Sequence, residues 1–295
     1  MGNKKIQSLI EDIVTLPSLP GVVTKVTAMI TDESASVSDV AAIIAGDPSL
    51  SLKAMRLVNS AFYGMRHQIT SVEHAAALLG MKVLKNLVLT ASVFTLFKGK
   101  GKHRLFNQSD FWSHSINCGL AGRAIVKTAS KGELVDPEEA FIAGLLHDIG
   151  KLVFSQYMFD DFDKALTLAE IENRPLHEAE KQVIGVDHAE IGGALAEKWN
   201  LPENLISAIL MHHDPLATDP PSYLALVICF ANSLSKIDET EDDEAEGDAM
   251  DYSLPGTPEI RAALQLEDDD VAAVMEAYKT EAESASALLS LAESE

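Results

Sequence analysis

The sequence is poor in what many function classes require. Only two cysteines occur, Cys118 and Cys229. They form no paired-Cys motif and sit in apolar helical stretches, as buried thiols of a reducing compartment do. No phosphate-binding glycine loop, no nucleophile-elbow serine and no repeat with a period of roughly 20–50 residues is present. Basic residues are scarce: 23 Lys and Arg against 45 Asp and Glu give a net charge of −22 and a pI near 4.7. Such a surface repels phosphate backbones and argues against a nucleic-acid partner. The only basic cluster, Lys98, Lys100, Lys102 and Arg104, falls in a glycine-containing linker. Lys4 and Lys5 precede no long apolar run, which argues against a secretory signal, and the longest apolar stretch, Leu224 to Ala231, is far below membrane-spanning length. These absences predict a soluble, cytoplasmic chain without a membrane partner.

What is present is helical periodicity, nearly without strand signals, so the fold class predicted is all-α. Asp47-Pro48 opens a helix with Leu50, Leu52, Met55, Leu57 and Val58 inward, Ser36 or Ser38 caps the one before it, and Ser71 caps the one after, which runs to Gly80. Met81 to Phe97 continues as an apolar helix. Lys53, Arg56 and Asn59 share one helix at a spacing suited to a DNA reader, but the acidic balance outweighs that reading. Gly99 to Asn107 is a candidate boundary, after which Ser109 is read as the cap of a helix to Thr128. Asp136-Pro137 starts a helix read as continuous from Glu138 to Tyr157. Further helices are expected over 159–172, 176–184, from Asp187 to near Trp199 with a capping box to Glu190, from Pro202 to His212, and over 222–236. Between Asp238 and Asp251 nine of fourteen residues are acidic, a solvated stretch. A final helix is predicted over 269–291, packed on the body or serving self-association. The domains expected are an N-terminal helical lobe (1–98), a helical bundle (108–236), an acidic linker (237–258) and a C-terminal helical extension (259–295).

Chemistry concentrates in the histidines. Of nine, His67, His74 and His103 read as turn or surface residues and His177 as a helix-start residue. His114, His147, His188, His212 and His213 fall mid-helix or at helix ends in a bundle whose helices must converge. With Asp148 they make a nitrogen-rich donor set with one carboxylate, suited to Fe, Mn, Zn or Ni and able to bridge two ions. Asp110, four residues before His114, adds an outer carboxylate, and Lys151, one turn after His147-Asp148, is placed to meet an anion.

At these residues the sequence resembles the HD phosphohydrolases: His114, then His147-Asp148 with Gly150-Lys151. With His188, His212 and His213 it is similar to the ligand set of the HD-GYP phosphodiesterase branch. The N-terminal half resembles the HDOD domain of bacterial signalling proteins, through Leu16-Pro-Ser-Leu-Pro20, Asp47-Pro-Ser-Leu50, Asn59-Ser-Ala-Phe-Tyr-Gly64 and Ile69 to Gly80. The likeness runs from about Leu16 to Lys236. It implies an N-terminal helical lobe packed on an HD-like bundle, a signalling role with a signalling-protein partner, and one or two divalent ions held by His114, His147, Asp148, His188, His212 and His213. Two departures stand out. Asn232 occupies the position where the HD pattern ends in aspartate, and an amide holds a divalent ion less well than a carboxylate. The Gly-Tyr-Pro loop of cyclic-di-GMP phosphodiesterases is replaced by Asp214 to Pro221, which counts against cyclic-dinucleotide hydrolysis. The reading is therefore a non-catalytic or weakly catalytic regulatory module with a metal-holding pocket. The rivals are a metal-dependent phosphohydrolase acting on a phosphate-containing small molecule through Asp148 and Lys151, and an interaction protein whose pocket holds no metal.

Overall fold

The structure, a computed structural model, describes residues 18–30, 36–60, 63, 65, 67–97, 103–129, 134–240, 257–283 and 285–293. The first two residues of the Leu16–Pro20 motif, most of the basic cluster and the acidic stretch beyond Thr240 lie outside them. Among the described residues every regular element is a helix. The chain divides into two compact units, one from the described residues of 17–99, 198–201 and 283–295, the other from those of 100–197 and 202–282.

The first unit contains α1 (Gly21–Ile30), α2 (Val37–Ala45), α3 (Pro48–Val58) and α4 (Val72–Leu96). The starts of α2, α3 and α4 each follow from a capping side chain. Ser36 and Asp39 form a reciprocal capping box on α2, Asp47 accepts from the Leu50 amide ahead of Pro48, and Ser71 accepts from the His74 amide. Gly80 takes φ +81° inside α4, a conformation that only glycine adopts cheaply, and kinks the helix where the sequence reading ends one helix and begins another. Asn59 bridges the loop after α3, accepting from the Ile69 amide at 2.7 Å and donating to the Met55 and Ile69 carbonyls. Lys53 donates to Thr95. Both side chains are thus engaged within the lobe.

By length and hydropathy α4 is the one helix among the described residues able to cross a bilayer, a property that a search for uninterrupted apolar runs does not reveal. Leu84, Leu87, Val88, Val93 and Phe94 on it are spent on the core of this unit against Val23, Val26, Val40, Ile44 and Leu57.

The second unit begins with α5 (Gln108–Thr128), α6 (Pro137–Leu146) and α7 (Ile149–Tyr157), followed by α8 (Phe159–Glu172), α9 (Leu176–Val183), α10 (His188–Lys198), α11 (Glu203–Met211), α12 (Tyr223–Thr240), α13 (Thr257–Leu264) and α14 (Asp268–Ala282). Helix α5 is the hub, packing along α6, α12 and α14. Its cap is Asn107, whose side chain accepts from the Ser109 amide, and not Ser109 as the sequence suggests. The expected final helix is two, α14 and α15 (Ser286–Glu293); Val271, Val274, Met275 and Tyr278 bury in the second unit, while α15 packs with α3 and α4 in the first. Buried Arg123 ties α14 down: its guanidinium holds Glu281 at 2.7–2.8 Å and Glu138 at 3.1 Å, and it lies 5.3 Å over the Phe141 ring.

Candidate metal centre

The predicted helix from Glu138 to Tyr157 is interrupted at His147-Asp148. α6 ends at Leu146 and Asp148 leaves helical geometry (φ −99°, ψ 9°) before α7 begins. Successive side chains of an unbroken helix diverge by about 100° around its axis. The break lets the His147 ring and the Asp148 carboxylate meet, with Nε2 3.3 Å from Oδ2.

Two close backbone approaches bring other helices to this junction. A Cβ on Gly144 would lie 2.5 Å from the Gly119 Cα, so α6 touches α5 five residues beyond His114. A Cβ on Gly150 would lie 2.0 Å from the His188 carbonyl oxygen, so the start of α7 rests on the start of α10. That start is fixed by the capping box: Asp187 accepts from the Glu190 amide at 2.8 Å, and Glu190 accepts from the Asp187 amide at 3.0 Å.

The result is a buried carboxylate ringed by imidazoles. Asp148 Oδ2 faces His147 Nε2 and, at 3.8 Å, His114 Nε2. Asp148 Oδ1 faces His188 Nε2 at 3.0 Å and His212 Nε2 at 3.5 Å. His213 Nε2 is 2.8 Å from His188 Nε2. The donor atoms of His114, His147 and Asp148 lie within 4.8 Å of one another, as do those of His188, His212 and His213.

The far side of two rings decides which way their lone pairs point. His147 Nδ1 donates to the Gly144 carbonyl and His212 Nδ1 to the Ile209 carbonyl, both at 2.7 Å. A carbonyl only accepts, so these neutral rings present a bare Nε2 to Asp148. Burial holds His147 neutral, pushing it down to about 3, and lowers His212 as well. His147 Nε2, His212 Nε2 and Asp148 Oδ1 are buried and make no hydrogen bond. Bare lone pairs aimed at a carboxylate in a dry interior repel unless a cation stands among them, and a divalent ion fits that donor chemistry.

Two groups supply positive charge in the protein itself. Lys151 donates to Asp148 Oδ2 at 2.5 Å. His188 is buried, which disfavours its charged form, yet Glu180 behind it prevails and lifts it to about 9. Burial likewise favours the neutral Asp148, but the positive charges of Lys151 and His188 beside it hold its carboxyl well below the usual range.

Glu180 is the residue that sequence reasoning missed. It lies on α9, is fully buried, and its Oε2 accepts from both the backbone amide and Nδ1 of His188, at 2.9 and 2.5 Å. A carboxylate behind an imidazole is how metal-site histidines are oriented. Its eight-residue separation from His188 follows no helical period, so only its place on the apolar side of α9 hinted at it.

Of the histidines set aside, one keeps its expected place at a helix start and another is buried instead of lying at the surface. His177 stacks on His213 with ring centroids 4.0 Å apart. His103 has only 1% of its side chain exposed, bridges Asp163 and the Ser155 carbonyl, and stacks on Phe159. Asn232, on α12, is 8% exposed and its Oδ1 is buried without a hydrogen-bond partner. Asp110 is exposed on the first turn of α5 and belongs to neither donor group.

Comparisons with known proteins agree with this architecture. The HDOD domain profile matches residues 16–215. A Treponema pallidum protein is 29% identical over 231 residues, 78% of this chain and 44% of its own length. Ribonuclease Y of Mycoplasma mycoides subsp. mycoides SC is 26% identical over 240 residues, 74% of this chain and 41% of that enzyme. The chain thus spans less than half the length of these relatives. Among solved structures, an HDOD domain protein of Geobacter sulfurreducens superposes with a TM-score of 0.78 at 25% identity, covering 98% of this chain and 97% of that one. A candidate phosphohydrolase of Shewanella amazonensis does so with a TM-score of 0.74 at 24% identity and 97% coverage of both, a likeness of fold. A profile match over two-thirds of the chain, on an all-helical frame with its histidines gathered at one carboxylate, makes this protein a member of the HDOD domain family.

Proposed function

We propose that this protein is a metal-holding regulatory module of bacterial signalling, in which a divalent ion fixes the packing of five helices. The observation that carries this reading is the pair of buried, neutral imidazoles, His147 and His212, whose Nε2 atoms face Asp148 with no hydrogen bond of their own. His114, His147, Asp148, His188, His212 and His213 would hold one or two ions of Fe, Mn, Zn or Ni, with Asn232 a neutral neighbour. Because these ligands come from separate segments of the chain, binding free energy becomes folding free energy. A module of this kind responds to its ligand by rigidity and passes that to a protein partner in the cytoplasm, as a single copy or a homo-oligomer.

The test is elemental analysis of the purified chain, followed by thermal unfolding with a chelator and with each ion added back. The reading requires bound metal and a melting temperature that rises with it in the wild type but not in His147→Ala or Asp148→Ala. No metal and no shift with any ion would leave the interaction protein without metal.

A second reading is a metal-dependent phosphohydrolase, favoured by the Lys151 ammonium beside Asp148 and by the kinship with ribonuclease Y. A bound ion would supply Lewis acidity there, while Lys151 neutralises a phosphoryl oxygen of the substrate. A phosphoester panel with added Mn or Fe decides it: turnover lost in His147→Ala and Asp148→Ala would replace the regulatory reading by the enzymatic one.

A further inference from the structure

The two oxygens of Asp148 serve different neighbours. Oδ2 faces His147 and His114, at 3.3 and 3.8 Å, and Oδ1 faces His188 and His212, at 3.0 and 3.5 Å. The carboxylate therefore divides the donors into two positions that share it as a bridge. These positions are not equivalent: the Oδ1 side is lined by three imidazoles, a side chain that ligates, whereas the Oδ2 side has two imidazoles and an ammonium, which does not. The Lys151 ammonium, reaching back from one turn along α7, is hydrogen-bonded to Oδ2 at 2.5 Å. Its side chain is 20% exposed, against 2% for Asp148, so it has a way out toward solvent.

We propose that Lys151 is a tethered cation that occupies the Oδ2 position in the metal-free protein, so that the two positions fill in order. An ion enters among His188, His212, His213 and Oδ1 first. A second ion, at His114, His147 and Oδ2, must displace the ammonium and bind near a like charge that stays tethered close by. This rests on the metal-holding reading above and adds to it a determinant of stoichiometry. The same lysine then has two uses: with one ion bound it completes the neutralisation of Asp148, and with two ions bound it is released toward the mouth of the site.

The experiment titrates the metal-stripped full chain with Mn(II), following binding by calorimetry and free and bound ion by electron paramagnetic resonance. The wild type should bind in two separated steps. Lys151→Met should tighten the second step by about tenfold or more, since a repelling unit charge is removed, and leave the first within about threefold. The exchange-coupled signal of a dinuclear site should then appear at a lower Mn ratio. Lys151→Arg, which keeps the charge, should retain the wild-type pattern. Should Lys151→Met not fold by circular dichroism, Lys151→Gln takes its place. A second step unmoved by loss of the charge, or both steps shifted equally, overturns the ordering while leaving the metal centre standing. Absence of Mn binding in the wild type and variant alike overturns the metal centre itself.

Discussion

Metal loading of this site should release a proton, and Glu180 should be the reason. In the metal-free protein the Glu180 carboxylate holds His188 at about 9 against the opposing effect of burial. At pH 7 that ring is an imidazolium, whereas His147 and His212 are neutral and Asp148 is ionised. Only a neutral imidazole ligates, so occupation of the His188 position must expel about one proton, and affinity should rise about tenfold per pH unit between pH 7 and 9. Glu180→Gln changes both sides of this balance. Loss of the orienting carboxylate weakens the ligand by about 10–100-fold. Loss of the imidazolium removes a protonation penalty that at pH 7, two units below about 9, is itself about 100-fold. Affinity at one pH can therefore change little, and the informative quantity is the proton count. Calorimetry in buffers of different ionisation enthalpy should give about one proton per ion for the wild type at pH 7 and close to none for Glu180→Gln. Equal proton release by both proteins would refute the role assigned to Glu180.

The metal-free protein should also lose stability as pH rises. His188 is raised in the folded state, so its contribution is complete below about pH 6.5 and vanishes as pH passes about 9, by about 3 kcal/mol at most; urea unfolding in chelator across that range measures it. Gly150→Ala forces a methyl group into the His188 carbonyl, where its Cβ would sit 2.0 Å away; the expected cost is about 1–3 kcal/mol of stability, with weaker metal binding, by denaturation and metal titration. Arg123→Met leaves Glu138 without its guanidinium and Glu281 with Lys127 alone, and should cost about 1–3 kcal/mol by chemical denaturation, with metal affinity retained. Asn232→Asp should lower the melting temperature in chelator, by adding a buried negative charge, and enlarge the rise on metal addition. An unchanged metal-dependent rise would remove Asn232 from the site.

The sequence was most legible where chemistry is local. Asp47-Pro48, Ser71, Asp136-Pro137 and the Asp187/Glu190 box act within three or four residues, and each sits where its side chain satisfies an orphan helix amide. The histidines could be named because so few residue types do their work. Legibility failed where geometry is set by distant contact. Nothing in Glu138 to Tyr157 demands a break at His147-Asp148, since the residues on either side keep helical spacing; the break comes with the pressing of Gly150 against the His188 carbonyl thirty-eight residues on. Glu180 escaped for the same reason: an acidic residue beside Glu178 and Lys181 on a short helix looks solvated until the fold buries it. His103 reads as a linker residue because its partners, Asp163 and the Ser155 carbonyl, are more than fifty residues away.

Counting charge around Asp148 bears on what the site would meet. The carboxylate is the one anionic group among the ligands; His114, His147, His188, His212 and His213 are neutral when they ligate, and Asn232 stands where an acid would bring a second negative charge. One divalent ion on this set leaves a net charge of about +1, and two leave about +3; the Glu180 carboxylate behind His188 takes one charge away and the Lys151 ammonium restores it. In a buried pocket an excess of that size draws in an anion, even within a chain whose overall charge is −22. A phosphate-bearing small molecule satisfies that demand, whereas a polynucleotide must also overcome the acidic surface. On this argument inorganic phosphate should bind the metal-loaded protein and not the metal-stripped one, and Lys151→Met should weaken it. Phosphate binding that ignores the metal would place the anion elsewhere on the molecule.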